Sequence, residues 1–255
     1  MHEAIGDAAV VGISDSMYDE AIIGFVTLKT NQSVTEEELK EYCSKKMSKS
    51  KIPEKIKILN GNQLASLIVY YSLINLELNK LSKPPYVAKT IVTTRLIDEI
   101  ANGFGVKSYS TLTGFKYIAE LIKNKKSEKF IAGGEESYGY LVDDFVRDKD
   151  AIISCAYICE IASWAKDNGK SLNDILEEIY DTYGLFKEKL YTIKMEGISG
   201  SNRINDIMEK YRSTPPLKIF GDKVKEVIDY NKREKNPIIN AKSNVIQLIS
   251  EKNYS

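Results

Sequence analysis

Between Val87 and Gly133 the sequence alternates short β-branched or apolar runs with helix-like stretches. No other feature limits the fold as much. Val87 to Thr94 reads as a strand, Leu96 to Phe104 as a helix ended by a glycine, and Lys107 to Ser110 as a short strand. Gly114 to Lys123 then reads as helix and Phe130 to Gly133 as strand. This βα alternation predicts an α/β fold, a mixed or parallel sheet covered by helices.

The flanks extend the pattern. Gly61-Asn62-Gln63 opens a helix-like stretch, Leu64 to Leu78, which Lys83-Pro84-Pro85 breaks. Lys149 to Asn168 predicts a long apolar helix ending at Gly169, and Ser171 to Tyr183 another with Ser171 as its cap. Lys187 to Met195 reads as a strand, Ser201 to Arg212 as a helix, and Lys218 to Asp229 and Val245 to Ile249 as strand-like pieces around a charged stretch from Asn231 to Lys235. Ahead of all this lies a small α/β unit: strands Ala8 to Ile13 and Ala21 to Leu28, a helix Thr35 to Met47 and a strand Lys55 to Leu59. Thr35 with Glu38 makes a capping box, and Glu36 and Glu37 suit the positive end of the helix dipole.

The chain has 255 residues, 43% of them hydrophobic, enough for a sizeable core. Basic and acidic residues balance at 36 each, so no global field draws in nucleic acid or an anionic membrane, and an anionic ligand must be held by local charges. No nucleic acid and no membrane partner is expected. No apolar run reaches the roughly 18 residues of a membrane span, and the expected location is the cytoplasm. His2 is the only histidine, so acid–base chemistry would fall to carboxylates and lysines. Cys43, Cys155 and Cys159 do not make a disulfide framework; Cys155 and Cys159, four apart in an apolar helical run, read as small packing residues.

The most informative residues are Gly133-Gly134-Glu135-Glu136-Ser137-Tyr138-Gly139-Tyr140, just after an expected strand. Glycines allow close backbone approach, a carboxylate can accept two sugar hydroxyls, and a serine can donate and accept. A sugar site needs such a set, because each buried hydroxyl left without a partner costs roughly 1–3 kcal/mol. Chemistry alone leaves a second reading open, a solvated surface turn. The run Arg147-Asp148-Lys149-Asp150 likewise reads either as part of a site or as a charged helix start, and Lys116 as a ligand group or a solvated first-turn lysine.

In order along the chain, Asn60-Gly61-Asn62-Gln63, Lys89-Thr90-Ile91-Val92-Thr93-Thr94, Leu112-Thr113-Gly114-Phe115-Lys116, Gly134 to Gly139, and Phe145-Val146-Arg147-Asp148-Lys149-Asp150 resemble the third domain of the α-D-phosphohexomutases, the phosphoglucomutase and phosphomannomutase family. The resemblance covers about Asn60 to Pro216. It implies that Glu135 and Ser137 hydrogen-bond the sugar hydroxyls, that Thr113 and Gly114 line the same face, and that Lys149 lies near the transferred phosphate. The ligand it implies is a hexose phosphate such as glucose 1-phosphate or glucose 6-phosphate. The loop from Glu135 to Tyr138 fits both glucose and mannose.

A complete member of that family also uses a phosphoserine loop, a metal loop with alternating aspartates and a distal phosphate loop. None of these is present in the sequence, whose nearest acid pair is Asp143-Asp144; Lys242 to Gln247 resembles the opening of the fourth domain. Mg2+ and a glucose bisphosphate activator are therefore expected only for a complete family member, with no metal and no cofactor bound by this chain. Turnover by the chain alone is not expected, since positioning and charge stabilisation of phosphoryl transfer would be lost together.

Residues His2 to Leu59 resemble instead the small C-terminal subdomain of acyl-CoA synthetases and related adenylate-forming ligases. The resemblance rests on Asp7 to Asp15, Asp19-Glu20-Ala21 and Met47 to Pro53. The hinge segment and the adenylation lysine of such ligases are missing, so ligase activity is not expected. The two resemblances meet near Asn60 without a flexible linker, which suggests a fused chain. The sequence thus divides into 1–59, 60–216, and a partial fourth domain or tail at 217–255. Three functional readings follow: the sugar-recognising part of an isomerase, a weak stand-alone sugar module, or a folded relic. Exposed apolar surface where neighbouring domains would pack implies self-association.

Overall fold

A computed structural model describes residues 2–15, 19–29, 32–48, 51–53, 55–77, 80–232 and 242–251. Lys49, the end of the expected helix at Leu78 and most of the charged stretch after Lys232 lie outside these residues. The chain forms two compact units, Met1–Lys187 and Glu188–Ser255.

The first unit opens with a hairpin of β1 (Ile5–Asp15) and β2 (Asp19–Leu28), antiparallel, with Ala9 opposite Phe25. Helix α1 (Glu36–Ser44) follows, started by the expected box: Thr35 accepts from the Glu38 amide at 3.2 Å, and Glu38 accepts from the Thr35 amide at 2.8 Å. Strand β3 (Lys55–Ile58) then runs parallel to β2. Val26 and Ile56 bury one side of this sheet with Leu39 of α1, whereas Ile23 and Phe25 join the core of the helices that follow. Alternation of strand side chains between two faces gives the sheet both contacts.

Helix α2 (Gly61–Ile74) begins on a second reciprocal box, between Asn60 and Gln63. It is apolar all round, as a helix between two layers must be. Four strands form the second sheet in the order β5-β4-β6-β7: β4 (Pro85–Thr90), β5 (Lys107–Thr111) and β6 (Lys129–Glu135) are parallel, and β7 (Gly139–Val142) returns antiparallel to β6. Val87 faces the large core with α2, α3 (Leu96–Gly103), α5 (Ala151–Asp167) and α6 (Leu172–Tyr183). Its neighbours Tyr86 and Ala88 face the opposite side, where Phe115, Ile118 and Ile122 line the inner stripe of α4 (Phe115–Asn124).

This mixed α/β architecture is the expected one, with three differences. Strand β7 went unread because its four residues are broken from β6 only by the glycine-flanked loop. Helix α2 ends at Ile74, earlier than expected. Residues Lys187–Met195 make no strand; Leu190, Tyr191 and Ile193 are exposed there, and a β-branched pattern without a neighbouring strand has no ladder to join.

The second unit contains α7 (Gly197–Ser213) and an antiparallel sheet ordered β10-β9-β8, from β8 (Lys218–Ile219), β9 (Asp222–Asp229) and β10 (Ile246–Ser250). Arg212 joins them: its side chain is buried, its Nε lies 3.3 Å from the buried carboxylate of Asp229, and it also bonds Glu209 and Asn244. Ile198, Leu217 and Phe220 are largely exposed.

Candidate functional site

Because β4, β5 and β6 are parallel, their C-terminal ends share one edge of the sheet, the edge where open α/β sheets present ligand sites. Thr90, Thr111 and Glu135 end these strands. The loops that emerge there are Ile91–Arg95, Leu112–Gly114 and Glu136–Tyr138. A fourth segment returns to the same edge after β7: the Asp150 amide donates to the Tyr140 carbonyl at 3.2 Å, which brings Lys149 beside Gly139.

Glu135 is the buried centre of this edge, 6% exposed. Its Oε1 accepts from the Gly114 amide at 2.9 Å, a bond helped by the left-handed φ of +117° that glycine adopts readily. A carboxylate has about four acceptor positions, so one backbone donor leaves capacity for hydroxyl groups. Gly139 keeps the other side open: a Cβ built there would sit 2.8 Å from Lys149 Cδ and 3.3 Å from Glu135 Oε2. The Lys149 stem therefore crosses Gly139, and its ammonium lies 5.7 Å from the centre of the Phe115 ring. Lys149 remains about half exposed, its nearest anion Asp148 at 3.9 Å.

Of the five sequence-selected residues, Gly114, Glu135 and Lys149 thus gather around Gly139. Thr113 and Ser137 are exposed, on the loops that carry Gly114 and Glu135, and neither hydroxyl is hydrogen-bonded among the described residues. Lys116 is exposed and places its ammonium 4.8 Å from the Tyr117 ring centre. Among the described residues no group of three or more His, Cys, Asp or Glu side chains is placed to hold a metal ion.

The loop has supports that the sequence reading missed. Glu136 Oε2 accepts from Thr93 Oγ1 at 2.9 Å, and Thr90 Oγ1, 2.8 Å from Thr93 Oγ1 and 3.4 Å from Glu136 Oε2, has its single proton to give to one of the two. Tyr138, at a φ of +67°, donates to the Leu59 carbonyl at 3.3 Å, and Tyr140 donates to the Gly61 carbonyl at 2.7 Å. Burial pushes both phenols up, that of Tyr140 furthest, so both stay protonated donors. Below them Lys89 is buried, with Asp98 at 3.2 Å and the Thr93 carbonyl at 3.4 Å. The sequence marked Lys89 to Thr94 only as one of a family-like series and assigned none of its side chains a role.

Residues 60–183 match the family model for phosphoglucomutase/phosphomannomutase alpha/beta/alpha domain III, and residues 1–64 match that for the AMP-binding enzyme C-terminal domain. A phosphoglucomutase of Staphylococcus aureus strain bovine RF122 is 36% identical over 208 residues, 78% of this chain and 37% of the relative. The protein of strain USA300 matches with the same identity and coverage. The chain spans little more than a third of the length of these relatives. Among solved structures, the open form of parafusin, a phosphoglucomutase from Paramecium, superposes with a TM-score of 0.54 at 18% identity, covering 76% of this chain and 33% of that one, a likeness of fold. The chain therefore carries a domain III of the phosphoglucomutase/phosphomannomutase family, behind a segment related to the C-terminal domain of AMP-binding enzymes.

Proposed function

We infer that the sheet edge around Glu135 recognises a hexose phosphate, and that these 255 residues supply sugar recognition for phosphoglucomutase-type chemistry without performing phosphoryl transfer themselves. The observation that carries this reading is the buried Glu135 carboxylate, oriented by the Gly114 amide with Lys149 stretched beside it across Gly139. Glu135 accepts from hydroxyls of the hexose, Ser137 donates to them or accepts from them, Thr113 borders the same opening, and the Lys149 ammonium attracts the phosphate. The phosphoglucomutase relatives supply the substrate class. Held by these residues alone, glucose 1-phosphate should bind with a Kd on the order of millimolar, about −4 kcal/mol. No helix among the described residues is long and apolar enough to cross a membrane; a cytoplasmic location is part of the same proposal. Exposed Leu190, Ile198 and Phe220 favour self-association.

The test is an NMR titration of labelled protein with glucose 1-phosphate beside the Glu135→Ala, Ser137→Ala double variant. Shifts at Gly134 to Gly139 and Thr113 that vanish in the variant are expected. A folded parent that shows no shift at ligand concentrations far above millimolar would overturn the reading.

A further inference from the structure

The loop from Glu135 to Tyr138 holds two adjacent glutamates with opposite partners. Glu135 turns to the Gly114 amide, and Glu136 turns away to the hydroxyls of Thr93 and Thr90. The turn that presents those hydroxyls is itself fixed from several directions. The Ile91 amide donates to Thr111 O at 2.8 Å, the Thr93 amide to Thr90 O at 3.1 Å, and the Thr94 amide to Asn62 Oδ1 at 3.0 Å; Lys89 Nζ donates to Thr93 O. On the other flank the backbone of Glu136 lies so close to Gly61 that a Cβ there would come within 1.7 Å of the Glu136 carbonyl oxygen. Glu136 is thus gripped by its side chain on one element and by its backbone on another.

We propose that Glu136, through Thr93 and Thr90, is a positioning residue that sets where Glu135 and Ser137 are presented to the sugar. This rests on the recognition reading above and adds to it a residue that does not touch the ligand. Releasing the Glu136 carboxylate frees the turn between β6 and β7 to rotate, and the first bond to suffer is that from the Gly114 amide to Glu135. A carboxamide keeps an acceptor oxygen for Thr93, so charge is dispensable and the acceptor is not.

The experiment follows the Gly114 amide by hydrogen exchange without ligand, and glucose 1-phosphate binding by NMR titration, in the parent and in Glu136→Ala, Glu136→Gln, Thr93→Val and Thr93→Ser. Losing one supporting hydrogen bond should lower both Gly114 protection and affinity by about tenfold in Glu136→Ala and Thr93→Val. Glu136→Gln and Thr93→Ser should stay within about twofold of the parent. Core amides of β4, such as Val87, should exchange as in the parent in all four. Unchanged Gly114 protection, or a loss shared with Val87, overturns the proposal. So does full affinity in Glu136→Ala beside a binding parent. If the parent binds no glucose 1-phosphate, the recognition reading fails instead, and the Gly114 amide still decides whether Glu136 places Glu135.

Discussion

The Cys155 thiol on α5 donates a hydrogen bond to Asp7 on β1, with 2.9 Å between Sγ and Oδ1. Asp7 is held in turn by Thr27, whose Oγ1 accepts from the Asp7 amide at 2.9 Å. The bond crosses from the mutase-like part to the ligase-like part, and Ala9, Ile23 and Phe25 cross the same boundary to share a core with Leu64 and Ile158. The two parts should therefore unfold together. Phe25→Ala, at a residue 3% exposed, should cost about 3–5 kcal/mol and lower the urea midpoint of residues 1–187 as a whole. Fluorescence of Trp164 and exchange of β4 amides would report it; a β4 that keeps parental stability would refute the shared core.

The same contact makes the cysteines chemically unequal. Burial, with the Asp7 carboxylate beside it, pushes the Cys155 thiol up to about 12, whereas Cys159 is exposed. A raised pKa leaves little thiolate, roughly one part in ten thousand at pH 8 for Cys155. Iodoacetamide at pH 8 should alkylate Cys159 first, read by peptide mass spectrometry. Asp7→Asn removes the anion and should speed Cys155; modification of Cys155 ahead of Cys159 in the parent would contradict the assignment.

At Gly61 a side chain has nowhere to go, because its Cβ would meet the Glu136 backbone at 1.7 Å. Gly61→Ala should destabilise the unit by about 1–3 kcal/mol, since backbone cannot swing aside as a flexible side chain can. It should also displace the Glu135–Tyr138 loop and so weaken the proposed glucose 1-phosphate binding. Parental stability and affinity together in Gly61→Ala would show that the close approach is not present in solution.

Acid should loosen the edge of the sheet opposite the Glu135–Tyr138 loop. Burial alone would raise the Glu128 carboxyl, but the Tyr109 hydroxyl and the Lys125 and Lys107 ammonium groups outweigh it and hold it below the ordinary glutamate value. A carboxyl depressed on folding adds stability above its unfolded pKa of about 4.3, and loses that contribution as pH falls through the lower folded value. Tyr109→Phe removes one of the groups that lower it, so the drop in urea midpoint from pH 7 to pH 3 should be smaller in the variant. An equal drop would exclude Glu128 as a contributor.

Much of the fold was legible because it is written locally. The capping box at Thr35 and the cap at Ser171 start α1 and α6 as the sequence predicts, and the spacing of Phe115, Ile118 and Ile122 marks the inner face of α4. The strand expected at Lys187–Met195 failed because its side chains suit a strand but no strand among the described residues pairs with it. At the site, Glu135 and Gly114 could be named from a motif, yet their hydrogen bond joins residues 21 apart and no local pattern encodes it. Glu136 was passed over for the same reason: its partners lie more than 40 positions earlier, on a turn whose threonines look like ordinary β-formers.

The two tyrosine anchors of the Glu135–Tyr138 loop fasten to the carbonyls of Leu59 and Gly61, on either side of the place where the two family resemblances meet. A carbonyl is common to every residue, so the Tyr138 anchor reads where the incoming chain runs and not which side chain it carries. The mutase-like part is in this respect a socket with a generic fitting. A strand that ends at the height of Leu59 and turns into the Asn60 cap offers both carbonyls through its backbone, whatever side chains it carries.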